Sequence, residues 1–354
     1  MVLSSLFGGL TMHTFYYPDH NRHDPESLPQ PDILGNHFLE IARRGQILIE
    51  AVQQANLGPM TPPGDFGIEP IGEVHEHGML SLLQNAYDRL VQLQDSPAAI
   101  PDYFQIGTGR VPPRKPRSLM GQLGYYCNDM MTPIMAHTWD VAYWTAQTAL
   151  SAAALVAAEG DAKAYALCRP PGHHAGSNFF GGYCYLNNAA IAAHWLVQQG
   201  YRVAVLDIDF HHGNGTQDIF YGRSDVLTCS IHIDPLLDYP GFWGFADEYG
   251  AGHGQNFNFN YPLPYQTSEA EYLITLHEAL EKIRLFVPDQ LVISLGVDAL
   301  ADDPVGGFEL SPASYGRIAQ AIAGLNMPMI IVQEGGYNLD KMGTAVVTFL
   351  QNLA

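Results

Sequence analysis

Lysine and arginine are scarce in this chain: 16 in 354 residues against 36 aspartates and glutamates, for a formal charge of −20. Nothing resembles a basic stripe that could neutralise phosphates, so no nucleic-acid partner is expected. The acidic balance is compatible with a cationic substrate, although solubility is the simpler reading. Cysteine is scarce too. The four (Cys127, Cys168, Cys184, Cys229) show no CxxC spacing and none of the density of a secreted disulfide scaffold, which points to a reducing compartment and a cytoplasmic location. The start, MVLSSLFGGLTMHTFYY, lacks a basic leader and is too short to span a bilayer. It reads as a tail entering a first strand near His13–Tyr17, with no membrane partner. GxSxG, P-loop and GxGxxG signatures are absent, and no serine or cysteine nucleophile is needed for the chemistry that the remaining motifs suggest.

What is present is an ordinary globular composition, 47% hydrophobic and 15% charged, in a chain long enough for one large α/β domain or two smaller ones. No repeat, low-complexity tract or interdomain linker occurs, so residues 1–354 read as one domain. Short apolar or β-branched runs at Ala164–Cys168, Val203–Ile208, Val226–Ile231, Leu291–Leu295 and Met329–Val332 suit strands buried on both faces of a parallel sheet. Amphipathic helices are expected at Asn187–Gln199, Glu269–Phe286 and Pro312–Ala323. Strand and helix in alternation imply a sheet wrapped by helices. The proline-rich, basic stretch Ile100–Arg117 breaks this rhythm and reads as a long irregular insertion.

Polar residues gather just after four of the strands: RPPGHH, DIDFHH, GVDAL and EGGY. Ligands of open α/β sheets bind outside the carboxyl ends of strands, so four segments converge on one site. Asp209 and His211 alternate at the end of one strand and Asp298 ends another, a donor set suited to zinc with one position left open. The tandem His173 and His174 supply a general base, with Asp207 a partner for one of them. Tyr337, after two glycines, offers a phenol. Each has a plainer reading alone: a helix cap for Asp298, a satisfied core histidine, a packed aromatic. Together, metal, base and phenol define hydrolysis at a carbonyl.

The segments RPPGHHAG, FGGYCYLNNAA, LDIDFHHGNGTQDIFY, SLGVDALADDP and EGGY together resemble the arginase–deacetylase superfamily, in particular histone deacetylases and bacterial acetylpolyamine amidohydrolases. The likeness runs from about Gly35 onward. It implies a parallel sheet of about eight strands between helices, and a single zinc on Asp209, His211 and Asp298. It implies His174 as base and then acid, His173 paired with Asp207, and Tyr337 on the oxyanion. It implies a structural potassium ion at Asp207 and Ser230, and a substrate channel walled by Tyr183 and Tyr239 beside Gly182. Asn214 stands where many histone deacetylases have aspartate, and Tyr126 where they carry the aspartate that grips a peptide. Val305 stands at the gatekeeper glutamate of the eukaryotic polyamine deacetylase. Met120 and Met131 stand at two glutamates that meet the substrate's distal ammonium groups in acetylpolyamine amidohydrolases, and suit a longer, apolar or neutral amide or plain packing. The insertion, about residues 100–124, is expected to build a homodimer and narrow the entrance.

The leading reading is therefore a zinc-dependent amidohydrolase acting on a small N-acyl amine, acetylpolyamine-like. Alternatives are a hydrolase of neutral or apolar small amides, a protein acetyl-lysine deacetylase, and a silent small-ligand binding protein. A dimanganese arginase-like site is disfavoured because ligands for a second metal are missing.

Overall fold

Eight short strands lie side by side in one sheet. They are β1 (His13–Tyr16), β2 (Met60–Thr61), β3 (Lys163–Leu167), β4 (Val203–Asp207), β5 (Val226–Ile233), β6 (Asn258–Leu263), β7 (Gln290–Leu295) and β8 (Met329–Gln333). The order across the sheet is β2-β1-β3-β8-β7-β4-β5-β6, and every neighbouring pair runs parallel. This computed structural model describes residues 12–28, 38–93, 96–105, 112–160 and 162–353.

Both faces of the sheet are buried, which is why the central strands are apolar without polar alternation. Period two still decides which face each side chain joins. Val203 and Val205 of β4 pack into one core with Val292, Ile330 and Val332. Ala204 and Leu206 enter the opposite core with Leu291, Ile293, Ile331 and Met329. The expected helices form where their caps predict. Ser268 and Glu271 make a capping box before helix Glu269–Phe286, and Asn187 caps Asn188–Gln198. Ser311 with Pro312 starts helix Pro312–Ala323. One described helix, Thr138–Glu159, is long and apolar enough to cross a membrane, but 67% of its apolar window is buried inside the fold. It is a core helix.

Two strands escaped the sequence pattern, β2 and β6. The first is two residues long, too short to carry a period. The second, NFNYPL, mixes amides, aromatics and a proline, as an edge strand can. All four cysteines are buried and unpaired in disulfides.

The four strands β3, β8, β7 and β4 are adjacent in the middle of the sheet. Their carboxyl ends carry the four polar segments, so the topology brings those segments to one rim.

Candidate active site

The rim is built by backbone donors that hold carboxylates. Asp207 ends β4; its Oδ1 receives the Asp209 N–H at 3.0 Å and its Oδ2 lies 2.9 Å from His173 Nδ1. Asp209 in turn receives the His211 N–H on Oδ1 (2.9 Å) and the Gly335 N–H on Oδ2 (2.8 Å). Asp298, beyond β7, takes the Phe210 N–H on Oδ1 at 3.0 Å, and its Oδ2 is 3.1 Å from His211 Nδ1. Close approach of the chains is possible only because glycine stands at key points. A Cβ on Gly296 would lie 2.0 Å from Asp209 Oδ2. One on Gly182, whose φ is +57°, would lie 2.4 Å from His174 Cδ2.

One ligand atom from each of Asp209, His211 and Asp298 falls within 4.8 Å of the others, and all three residues are buried. Two buried carboxylates a hydrogen bond away from one imidazole need a cation, and oxygen, oxygen and nitrogen donors fit zinc. The electrostatics express the same demand. Burial, with Asp209 beside it, pushes the Asp298 carboxyl up to about 7. Against the cost of burial, hydrogen bonds to Asp209 and Asp298 raise the His211 imidazole to about 10.

The tandem histidines sit in opposite fields. His173 overcomes its burial through Asp209 and Asp207, which hold it well above the usual imidazole range. Burial, with His173 and His211 nearby, holds His174 well below that range. His174 is therefore the neutral member, and Asn214 Oδ1, 2.8 Å from its Nδ1, fixes the tautomer that leaves Nε2 free to accept a proton. The two rings are 3.9 Å apart, and Tyr239 closes on His174 edge-on at 4.8 Å.

These groups meet a cavity of about 330 Å³ lined by His174, Gly182, Tyr183, His211, Tyr239 and Tyr337, with Asp129, Met131, Asp238, Pro304 and Val305 completing its walls. The expected channel residues Gly182, Tyr183, Tyr239 and Met131 are thus together. Met120 is not. It lies on helix Leu119–Tyr126, half-buried against the hydrophobic core, because that helix turns Leu119 and Leu123 inward and carries Met120 with them. Tyr126 is fully buried, and its hydroxyl donates to Glu76 at 2.8 Å, which keeps it from the cavity. Of the insertion, residues 106–111 lie outside the described residues. Gln105, Pro112 and Pro113 border a separate cavity of about 540 Å³, whose wall includes Asn214, and not the one lined by His174 and His211. Asp207 and Ser230 are register partners across β4 and β5, beside a small polar cavity shared with His212, Asn258 and Asn260.

Three groups had no role in the sequence reading. Arg44 is fully buried in helix Ala42–Ala55. Its guanidinium lies 4.5 Å from the Tyr337 ring centroid, and it donates to Glu40, Gly336 O and Glu334 O. Glu334, in the EGGY turn, accepts the Gly172 N–H at 2.6 Å and the His173 N–H at 3.1 Å; burial, partly offset by His173, pushes it up to about 7. His75 joins the histidine turn to the next helix, with Nδ1 2.8 Å from Gly176 O and Nε2 accepting from Asn187 N at 2.9 Å. The signal for Glu334 was a carboxylate just after the apolar run Met329–Val332, which needs a buried partner; Arg44, beside Arg43 and Gln46, carried no such signal.

A family described as the histone deacetylase domain matches residues 38–353. Acetylpolyamine amidohydrolase 1 of Pseudomonas aeruginosa is 43% identical over 341 residues, covering 96% of this chain and 98% of that protein. The acetylpolyamine amidohydrolase of Mycoplana ramosa is 40% identical, covering 88% of this chain and 91% of its own length. The crystal structure of an acetylpolyamine aminohydrolase from Burkholderia pseudomallei superposes with a TM-score of 0.91 at 40% identity, covering 97% of this chain and 98% of that one. The chain is a deacetylase-type amidohydrolase and belongs to the histone deacetylase family of the arginase–deacetylase superfamily.

Proposed function

We propose that the enzyme is zinc-dependent and removes the acetyl group from a small acetylated amine of the polyamine type. The observation that carries this reading is the clustering of Asp209, His211 and Asp298, with His211 joining His174 and the Tyr337 phenol in the wall of one 330 Å³ cavity. Zinc held there would supply Lewis acidity and lower the pKa of water toward neutrality. His174 takes the proton from the attacking water and returns it to the leaving nitrogen. His173, kept charged by Asp209 and Asp207, orients the water by donating from Nε2. Tyr337 donates its hydroxyl to the developing oxyanion. Tyr183, 5.6 Å from the Tyr337 ring, and Tyr239 line the channel for the acyl-bearing chain and exclude water.

The amine end is supported by the relatives' names and by two carboxylates in the cavity wall, Asp129 and Asp238. Both already have work. Asp129 accepts from Met131 N, Thr132 Oγ1 and Gly182 N, and Asp238 from Tyr239 N and Tyr265 Oη. Met131 and Val305 give the same wall an apolar stretch, which favours a second reading, a neutral amide as substrate. A potassium ion at Asp207 and Ser230 and a homodimer through the insertion complete the proposal. Exposed Tyr103, Phe104, Leu236, Phe242 and Trp243 support the latter.

Metal analysis combined with kcat/KM for acetylputrescine, acetylspermidine, an acetyl-lysine peptide and a neutral anilide tests the reading. One equivalent of zinc and a preference for acetylpolyamines are expected. Zinc-loaded protein that hydrolyses none of the panel would sink it, and a neutral anilide as best substrate would install the second reading.

A further inference from the structure

We infer that Asp303 is a positioning residue for Tyr337: it clamps the backbone of the turn that aims the phenol at the substrate carbonyl. The inference rests on the reading of Tyr337 as oxyanion donor. Asp303 lies in the turn that leaves β7 after the ligand Asp298 and is 6% exposed. Its Oδ2 receives two successive N–H groups from the turn after β8, Tyr337 at 2.7 Å and Asn338 at 2.8 Å. Its Oδ1 receives the Val305 N–H at 3.2 Å. The residue is itself fixed within its own turn, with its N–H on Leu300 O at 3.1 Å and its carbonyl accepting from Gly306 N at 3.2 Å.

The need for a clamp comes from the sequence of the Tyr337 turn. Gly335 and Gly336 precede the tyrosine, and Gly336 has φ +122°. Two glycines leave the backbone many alternatives, so the direction of the next side chain must be fixed from outside. Upstream, Val297 N donates to Gly335 O at 3.0 Å, and Arg44 holds Gly336 O and stacks on the ring. Downstream, a charged acceptor taking two adjacent N–H groups is the strong form of such a contact, and Asp303 is that acceptor. On the far side of the turn Asn338 Nδ2 donates to Asp302 O, and Lys341 pairs with the Asp302 carboxylate, so the neighbouring acid ties the exposed edge while Asp303 ties the buried one. Asp303 also has a competing role. Through Val305, which lines the cavity, Asp303 could shape only the mouth.

The two roles separate in a double-mutant cycle on the full-length zinc-loaded enzyme, with the best substrate of the panel above. Asp303→Ala should lower kcat about a hundredfold, as expected when a reacting group is misplaced by an ångström. KM should move by less than about twofold and metal content not at all. Asp303→Asn, which keeps one carbonyl acceptor for the two N–H groups, should recover part of the loss. In a Tyr337→Phe background the alanine change should cost less than about threefold more, because the hydroxyl it positions is already gone. A second full loss in that background would overturn the inference, as would a raised KM with unchanged kcat, the signature of the mouth role. If Tyr337→Phe alone leaves kcat intact, the oxyanion reading fails and takes this inference with it, an outcome distinct from the other two. Should the alanine variant not fold, Asp303→Asn and Asp303→Ser run the same cycle.

Discussion

At the floor of the cavity each polar group is held by a backbone N–H or a buried partner at the end of a central strand, whereas the mouth is walled by side chains on loops. Asp209 illustrates the first case, with the N–H groups of His211 and Gly335 on its two oxygens. Met131 and Val305 illustrate the second. They enter the cavity wall as half-buried apolar groups; Asp129 and Asp303 fix their N–H groups, and the Met131 side chain also packs on the small cluster of Leu28, Phe38 and Ala98. Chemistry that needs placement within tenths of an ångström is thus carried by the sheet, and the choice of substrate by parts that can change without unfolding it.

The largest effects should come from breaking the floor. Chelation should abolish turnover and added zinc restore it; a metal-free protein with full activity would show that Asp209, His211 and Asp298 are not a catalytic centre. His174→Ala should lower kcat by about 10²–10⁴-fold, the usual worth of a general acid–base, with zinc content unchanged by elemental analysis. Tyr337→Phe should cost somewhat less, about 10²–10³-fold, as loss of one oxyanion donor does. A drop in metal affinity in either variant would mean that the floor is one indivisible unit, and that the division of labour among its residues is wrong.

A smaller effect tests whether the floor depends on its buttress. His75 is buried between Gly176 O and Asn187 N, and burial holds it down at about 4 from an ordinary 6.5. The unfolded chain binds its proton near 6.5 and the folded chain only near 4. Stability from this residue is therefore complete above about 6.5 and is lost as pH falls toward 4, by roughly 3 kcal/mol. Urea midpoints at pH 7.5 and pH 5 should fall apart in the wild type and lie closer together in His75→Gln. Equal slopes for both proteins would show that the histidine does not carry the acid sensitivity of the turn it supports.

The same division explains what could be read from sequence. Asp209, His211, Asp298, His173, His174 and Tyr337 follow strands whose apolar runs are unmistakable, so chain direction alone predicts their shared rim. Strand β6 was missed because an edge strand is not required to be apolar. Arg44, Glu334 and His75 were passed over as functional groups because their meaning lies in partners from distant segments: Arg44 reaches Glu334 O 290 positions away. Met120 lies off this cavity, in keeping with the plain packing the sequence also allowed, for a related reason. A likeness of position along the chain does not say which way a helix of eight residues turns, and this one carries Met120 onto the core.

The mouth gives the smallest and most selective prediction. Met131→Glu places a carboxylate in a half-buried wall where the distal ammonium of an acetylpolyamine would lie. A partly exposed pair of this kind is worth about 1 kcal/mol, so kcat/KM for acetylspermidine should rise roughly fivefold. The gain should shrink as salt is added, since an exposed pair is screened within about a Debye length. A neutral anilide of similar length provides the contrast, because it has no charge to meet the new group. If acetylspermidine alone improves, the mouth selects by charge and Met131 has moved this enzyme away from polycations. If both substrates change together, the side chain acts through the packing of the Asp129–Gly182 wall, which holds Tyr183 in the channel. Floor and mouth would then be mechanically continuous, and the contrast between them would have to be redrawn around Asp129.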